Sequence, residues 1–94
     1  MTKYIVFRSD DERSYREIEA TSVVRAAEIA HAELISQALA NQSRAAEKIA
    51  ALDACDWFVI GAHRDGSLRD GDIRLYVTTQ LVGETPKATH YTRM

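Results

Sequence analysis

The stretch SYREIEATSVVRAAEIAHAEL, Ser14–Leu34, decides the fold, because the spacing of its apolar residues changes in the middle. Up to Ala20 the residues alternate between two sides, as they do in a half-buried strand. From Val23 onward the apolar residues recur at helical spacing, and the hydroxyl of either Thr21 or Ser22 suits the start of a helix. The stretch therefore predicts a strand that is followed directly by an alanine-rich helix.

A second strand is predicted immediately before this stretch. The run KYIVFRS, Lys3–Ser9, is apolar, β-branched and aromatic, which is typical of a strand. The link DDER, Asp10–Arg13, is short and polar. We therefore expect the two strands to pair as an antiparallel hairpin.

The helical pattern runs from Ser22 to Asp53 and is interrupted at Asn41–Ser43. One helix of that length would measure roughly 48 Å, whereas a domain of this size is only about 33 Å across. Asparagine often ends helices and serine often begins them. We therefore favour a broken or kinked helix, and one long helix remains the alternative.

Two further strands are predicted in the second half of the chain. The run CDWFVIGAH, Cys55–His63, is continuously apolar and indicates a strand inside a sheet, whereas DIRLYVTTQLV, Asp72–Val82, alternates strictly. Residues 83–94 show no period, so we expect a flexible or partner-docked tail. The prediction is a single α+β domain over residues 1–94, of order ββα(α)ββ, with a four-stranded, mainly antiparallel sheet and one long or broken helix packed on one face.

The link between the last two predicted strands, HRDGSLRDGD (His63–Asp72), brings three aspartates and a histidine together. A hard cation needs several converging oxygens, but two arginines lie among these acidic residues. Its two Asp-Gly pairs are strong turn signals. We interpret the link as the tip of a hairpin rather than a metal-binding loop.

The composition excludes several classes of protein. The net charge of −2 gives no broad positive surface for nucleic acid, so direct nucleic-acid binding is not favoured. The single cysteine excludes an intramolecular disulfide and suits a reducing compartment. No run resembles a signal peptide or a membrane span, and we expect a cytoplasmic protein.

The residues that carry chemistry are scattered along the chain. Their spacings match no catalytic, cofactor or metal motif, so we predict no catalytic residue, cofactor or metal. His31 lies on the apolar side of the helix, where we expect a boundary residue bonded to backbone or solvent. A small enzyme that uses Cys55 or His31 remains an alternative.

Binding to a protein partner is the function that we expect. Arginine and tyrosine on an outer strand face are typical anchors of protein interfaces, and they also stack on bases in single-strand binders. A nucleic-acid-binding or regulatory module with an arginine–tyrosine sheet face is therefore a second alternative. We also expect a homodimer, formed through the helix or the edge of the last strand. The candidate partner-binding residues are Arg74, Tyr76, Arg8 and Tyr4 on the strands, and Ile29 and Leu39 on the outer side of the helix.

The run KYIVFRSDDERSYREIEATSVVRAAEIAHAEL, Lys3–Leu34, resembles the first half of some small phage and mobile-element proteins, including anti-CRISPR proteins. The shared features are a strand, a charged turn, a strand ending in Glu-Ala, a Ser/Thr cap and an alanine-rich helix, over roughly residues 3–40. The resemblance implies a stoichiometric inhibitor that binds a host defence complex, such as a nucleoprotein complex. It assigns no functional residue.

Overall fold

The computed structural model of the chain describes residues 2–40, 53–61, 74–83 and 85–93, with the backbone alone at residues 12, 14 and 93. Five strands form one antiparallel sheet of order β2-β1-β3-β4-β5, and one described helix accompanies them. The prediction of an α+β fold is therefore confirmed. The elements are β1 (Thr2–Arg8), β2 (Asp11–Ala20), α1 (Val23–Ala40), β3 (Ala54–Gly61), β4 (Arg74–Val82) and β5 (Thr85–Arg93).

The sheet has one strand more than the sequence predicts. In place of the expected tail at residues 83–94, Thr85–Arg93 pairs with β4 as an edge strand. The turn into β5 contains Gly83 at a φ of 67°, a conformation that suits glycine. The register shifts between Thr78 and Thr79, which indicates a bulge. A bulge adds one residue to one strand, so the alternation that would reveal β5 in the sequence is lost.

Helix α1 begins where the sequence predicts it. The Oγ of Ser22 accepts a hydrogen bond from the backbone N–H of Arg25 at 3.1 Å, and the carbonyl of Ser22 accepts one from Ala26 at 3.1 Å. The described helix ends at Ala40. The predictions for residues 41–52, including the choice between a long and a broken helix, lie outside the described residues.

Strands β3 and β4 are neighbours in the sheet, as expected for a hairpin. They pair in antiparallel register from Ala54 opposite Gln80 to Ile60 opposite Arg74. The link between these two strands, residues 62–73, lies outside the described residues, and so does the choice between a hairpin tip and a metal-binding loop there.

The core lies between α1 and one face of the sheet, which we call the helix face. Three alanines of α1, Ala26, Ala27 and Ala30, are fully buried, so the helix packs closely on the strands. The opposing side chains come from every second residue of the strands, among them Tyr4, Val6, Ile18, Trp57, Val59 and Val77. The central position of β3 explains its continuous apolar run.

The opposite side of the sheet is called the far face. Alternation places Ile5 and Phe7 of β1 there, because Tyr4 and Val6 point to the helix face. The register then adds their cross-strand partners: Glu17 on β2, Phe58 and Ile60 on β3, and Arg74 and Tyr76 on β4. In the described part of the chain, no helix is long and apolar enough to cross a membrane.

Candidate binding surfaces

A polar network lies inside the core and includes His31. The ring of His31 is fully buried, and its Nδ1 lies 2.8 Å from the Oγ1 of Thr79. The Nε1–H of Trp57 donates to the same oxygen at 2.7 Å. The prediction of a boundary histidine is therefore wrong, because the ring is fully buried and contacts a side chain 48 residues away in sequence. These contacts provide partners for polar atoms inside the core.

The cysteine also belongs to the core. Cys55 is a buried free thiol on the helix face of β3. Burial raises the pKa of the Cys55 thiol, while Arg8 lowers it and Asp10 and Asp56 raise it. A raised pKa keeps the sulfur protonated at neutral pH, and the protonated thiol is a poor nucleophile. Within the described residues, no group of three or more His, Cys, Asp or Glu is arranged to hold a metal ion.

The structure separates the four strand residues that the sequence puts forward for binding. Tyr4 is only 9% exposed and belongs to the core. Arg8 lies on the same face and forms an ion pair with Asp10 at 3.3 Å. Arg74 and Tyr76 lie on the far face. The single arginine–tyrosine surface that would combine all four residues is therefore not formed.

The far face carries a row of three aromatic rings. The rings of Phe7 and Phe58 have centroids 5.3 Å apart, and those of Phe58 and Tyr76 are also 5.3 Å apart in an edge-on arrangement. All three side chains are half-buried. The row crosses β1, β3 and β4, so it joins residues that are distant in sequence. We call it the aromatic row.

The two helix residues that the sequence puts forward lie along one groove. Two adjoining hollows, of about 530 Å³ and about 420 Å³, share Ala32, Ser36 and Pro86. The first is also lined by Arg25, Glu28, Ile29, Glu33, Gln37 and Thr85, and the second by Ile35, Leu39, Leu81 and Gly83. We call the combined surface the helix–hairpin groove. Ile29 also packs against the core, so it is less exposed than the sequence suggests.

The two ends of the groove differ in character. At the first end, a guanidinium nitrogen of Arg25 lies 3.4 Å from the Oε1 of Glu28. The Oε2 of Glu28 accepts a hydrogen bond from the backbone N–H of Ala88 at 2.8 Å. Glu33 lies 2.7 Å from Arg16 of β2. At the second end, aliphatic side chains predominate, and Leu39 is 57% exposed. The charges of the groove are thus already paired within the chain, and its exposed end is apolar.

Sequence reasoning missed several residues of both surfaces. Phe7 and Phe58 stand in strands that it identified, but their contact depends on the pairing of β1 with β3, which are far apart in sequence. Leu81 and Pro86 were missed as groove residues because β5 was not predicted. The one usable signal was the strict alternation of Asp72–Val82, which assigns Tyr76 to a side of its strand.

Comparison with protein-family models, with curated proteins and with solved structures returned no match.

Proposed function

We propose that the chain is a non-enzymatic module that binds a partner protein through the helix–hairpin groove. The observation that carries this proposal is the exposed Leu39 at the apolar end of a continuous groove beside α1. Apolar grooves are recurring binding sites for the amphipathic helices of partner proteins. Burial of exposed aliphatic side chains within such a surface makes a large favourable contribution to the free energy of binding.

The lining indicates the chemistry of the partner segment. Arg25 and Glu33 already have partners of opposite charge, so a charged ligand would have to compete with existing ion pairs. Ala32, Ser36 and Gly83 are small and allow a close approach of a backbone. The groove therefore suits an amphipathic segment that turns aliphatic side chains toward Leu39, in the manner of a helix laid into an apolar groove.

The positions of the two candidate catalytic residues support a non-enzymatic role. His31 and Cys55 are both buried, and the Nδ1 of His31 contacts the Oγ1 of Thr79 inside the core. The resemblance to small phage inhibitors adds a candidate partner, which is a host defence complex that contains protein and nucleic acid. An inhibitor of that kind works by occupying a surface, so it needs contact area and no turnover.

The groove can be tested by photo-cross-linking in living host cells. A photo-reactive residue at position 39 is expected to give a discrete adduct with one protein, because Leu39 lies at the open end of the groove. The same residue at position 91 serves as a control, since Tyr91 is 62% exposed and does not line the groove.

A matched pair of substitutions links the adduct to the groove. Ala32→Glu places a charge in the groove and is expected to abolish the adduct from position 39. Ala40→Glu places the same charge on an exposed residue of α1 that does not line it, and the adduct is expected to persist. Equal adducts from positions 39 and 91, or an adduct that survives Ala32→Glu, would contradict the proposal.

A nucleic-acid-binding function is the second candidate, and the aromatic row favours it. Aromatic side chains on the face of a sheet stack with bases in single-strand binders. Against it, the register places three acidic and three basic residues on this face, so the described charges there are balanced rather than basic. They are Glu17, Glu19, Asp56, Lys3, Arg74 and Lys87. Binding to phosphates needs a positive surface.

Fluorescence anisotropy with labelled oligo-dT and oligo-U decides between the two candidates. We expect no saturable binding at low salt, and Phe58→Ser should leave the anisotropy unchanged. Binding that weakens steeply with added salt and is lost in Phe58→Ser would establish the nucleic-acid function instead.

A further inference from the structure

We infer that the outer edge of β2 adds a strand from a partner protein, and that this strand carries basic side chains at alternate positions. Strand β2 lies at one margin of the sheet, whereas β5 and the helix–hairpin groove lie at the other. Strand addition at β2 therefore uses a second surface and goes beyond the proposed function. The direction of the backbone groups of β2, the contrast with β5 and the charges at the edge support it.

A hydrogen bond next to β1 shows which way the backbone groups of that strand point. In an antiparallel sheet, both backbone groups of a residue point to the same neighbouring strand, and those of the next residue point to the other. The N–H of Ser9 donates to the carbonyl of Asp56 at 3.0 Å, so Ser9 and every second residue before it face β3. The residues between them, which include Tyr4 and Val6, face β2.

The backbone groups of Glu17 and Glu19 point away from the sheet. Their neighbours on β2, Arg16 and Ile18, are the register partners of the two β1 residues that face β2. Glu17 and Glu19 alternate with them, so the N–H and C=O groups of both glutamates face outward. Both glutamates are exposed. Their outward backbone groups form the outer edge of β2, where an incoming strand can pair.

The corresponding edge of β5 is closed. The N–H of Leu81 donates to the carbonyl of Asp53 at 2.9 Å, so Leu81 faces β3 and its register partner Pro86 faces outward. Proline has no N–H with which to pair. The next outward N–H, that of Ala88, donates to the Oε2 of Glu28 at 2.8 Å, and a bulge follows directly. Prolines, bulges and covering groups of this kind prevent strand addition at sheet edges.

The charges at the outer edge of β2 indicate the chemistry of the incoming strand. Glu17 lies 3.6 Å from Lys3 of its own chain but keeps 45% of its side chain exposed. Among the described residues, none forms an ion pair with Glu19. Opposite charges placed directly across from each other stabilise a pair of strands. Lysine or arginine at alternate positions of the incoming strand therefore fits this edge.

A second copy of the chain does not fit the same edge. Antiparallel pairing of two β2 strands, centred on Glu17 and Glu19, places these glutamates against the same residues of the other copy. Like charges directly opposite each other destabilise a pair of strands. The edge of β5 is closed, and β5 covers the edge of β4 that the sequence puts forward for a homodimer. The strand that β2 adds therefore comes from another protein.

Fluorescence anisotropy of the full chain with labelled synthetic peptides tests this inference. The probe is a short peptide in which lysine alternates with threonine, a residue that favours strands. We expect saturable binding to the wild-type chain. Glu17→Lys and Glu19→Lys should each weaken binding about tenfold or more, because each places like charges opposite each other.

Asp53→Lys is the matched control. It changes the net charge by the same amount, and Asp53 is exposed and lies directly before β3, which is not an edge strand. The affinity for the lysine–threonine peptide should therefore stay unchanged in this variant.

The backbone distinguishes strand addition from simple attraction between charges. Methyl groups on the backbone nitrogens of the lysines keep the charges of the peptide but remove the donors that would face the outer edge of β2. This methylated peptide should not bind. Amide hydrogen exchange, followed by NMR with the unmethylated peptide, should show new protection at Glu17 and Glu19. Arg16 and Ile18 should change little, because their amides face β1 within the sheet.

The absence of saturable binding by the lysine–threonine peptide overturns the inference. Equal binding of the methylated peptide, unprotected amides at Glu17 and Glu19, or an equal loss of affinity in Asp53→Lys overturns it as well, because each shows attraction without strand pairing. The groove proposal is measured by cross-linking at position 39 and does not depend on these outcomes.

Discussion

At the scale of single residues, one hydroxyl holds the core network together. The Oγ1 of Thr79 accepts from Trp57 and contacts His31, and it lies 3.5 Å from the carbonyl of Cys55. In the described residues, every fully buried side-chain nitrogen or oxygen has a hydrogen-bond partner. Removal of this hydroxyl would take the acceptor from the indole N–H of Trp57 and one polar contact from the ring of His31, and buried polar atoms that lose their partners are costly.

Thr79→Val is therefore expected to lower the free energy of unfolding by about 2 kcal/mol or more. Thr79→Ser keeps the hydroxyl and should retain most of the stability. Thr78→Val is the matched control, since Thr78 bonds Asp56 in an exposed position; we expect a change within about 0.5 kcal/mol. Urea denaturation followed by Trp57 fluorescence measures all three, and equal losses for Thr79→Val and Thr78→Val would contradict the assignment.

The burial of Cys55 predicts that the stability of the fold falls as the pH becomes alkaline. Burial raises the pKa of the folded thiol above its ordinary value of 9.0. As the pH rises past that value, the unfolded chain releases its thiol proton first and becomes relatively more stable. The stability that the protonated thiol contributes is thus fully present below 9.0 and is lost as the pH rises toward the folded pKa.

We expect the difference in unfolding free energy between the wild type and Cys55→Ala to stay constant up to about pH 8 and then to fall. Subtracting one unfolding free energy from the other removes the effect of titratable groups that are present in both proteins. Urea denaturation at a series of pH values measures it. A difference that stays flat through the alkaline range would show that the thiol is not protected by burial.

At the scale of elements, the close contact of α1 with the sheet depends on its alanines. Ala27 is fully buried, whereas Ala40 is exposed on the same helix. Ala27→Leu adds three carbons to a filled space and should cost about 1–3 kcal/mol of stability. Ala40→Leu should be nearly neutral in thermal denaturation. If both substitutions had the same small effect, the helix would not pack as closely as described.

The elements also show what the sequence can and cannot reveal. β1 to β4 and the start of α1 follow from local spacing, because burial of one side imposes a period on a strand or a helix. β5 does not, since its bulge breaks the period and its edge position tolerates Pro86. His31 was correctly placed on the apolar side of the helix, but its Thr79 partner depends on tertiary packing.

The surfaces follow the same rule. Ile29 and Leu39 were identified from the helix wheel alone, and they do lie along one groove. The opposite wall of that groove comes from β4 and β5, whose pairing was not predicted. The aromatic row needs the register of three strands. Two of them, β1 and β3, are neighbours in the sheet although β2 and α1 separate them along the chain. Local patterns cannot supply that register.

At the scale of the whole molecule, the two sides of the sheet carry different proposals. The buried polar network lies on the helix face. The helix–hairpin groove lies on the same side of the sheet, and we propose that a partner protein binds there. The far face holds the aromatic row, which is the surface that the second candidate function would use. Both proposals describe a protein that works through contact and without chemistry.

Calorimetric titration of the cross-linked partner, once purified, tests this central claim most directly. We expect heat that saturates at one partner per groove, a loss of affinity of about tenfold or more in Leu39→Glu, and wild-type affinity in Tyr91→Ala. Heat that continues to be released after saturation, with the chain far below the concentration of its partner, would show catalytic turnover. That result, or wild-type affinity in Leu39→Glu, would contradict the account.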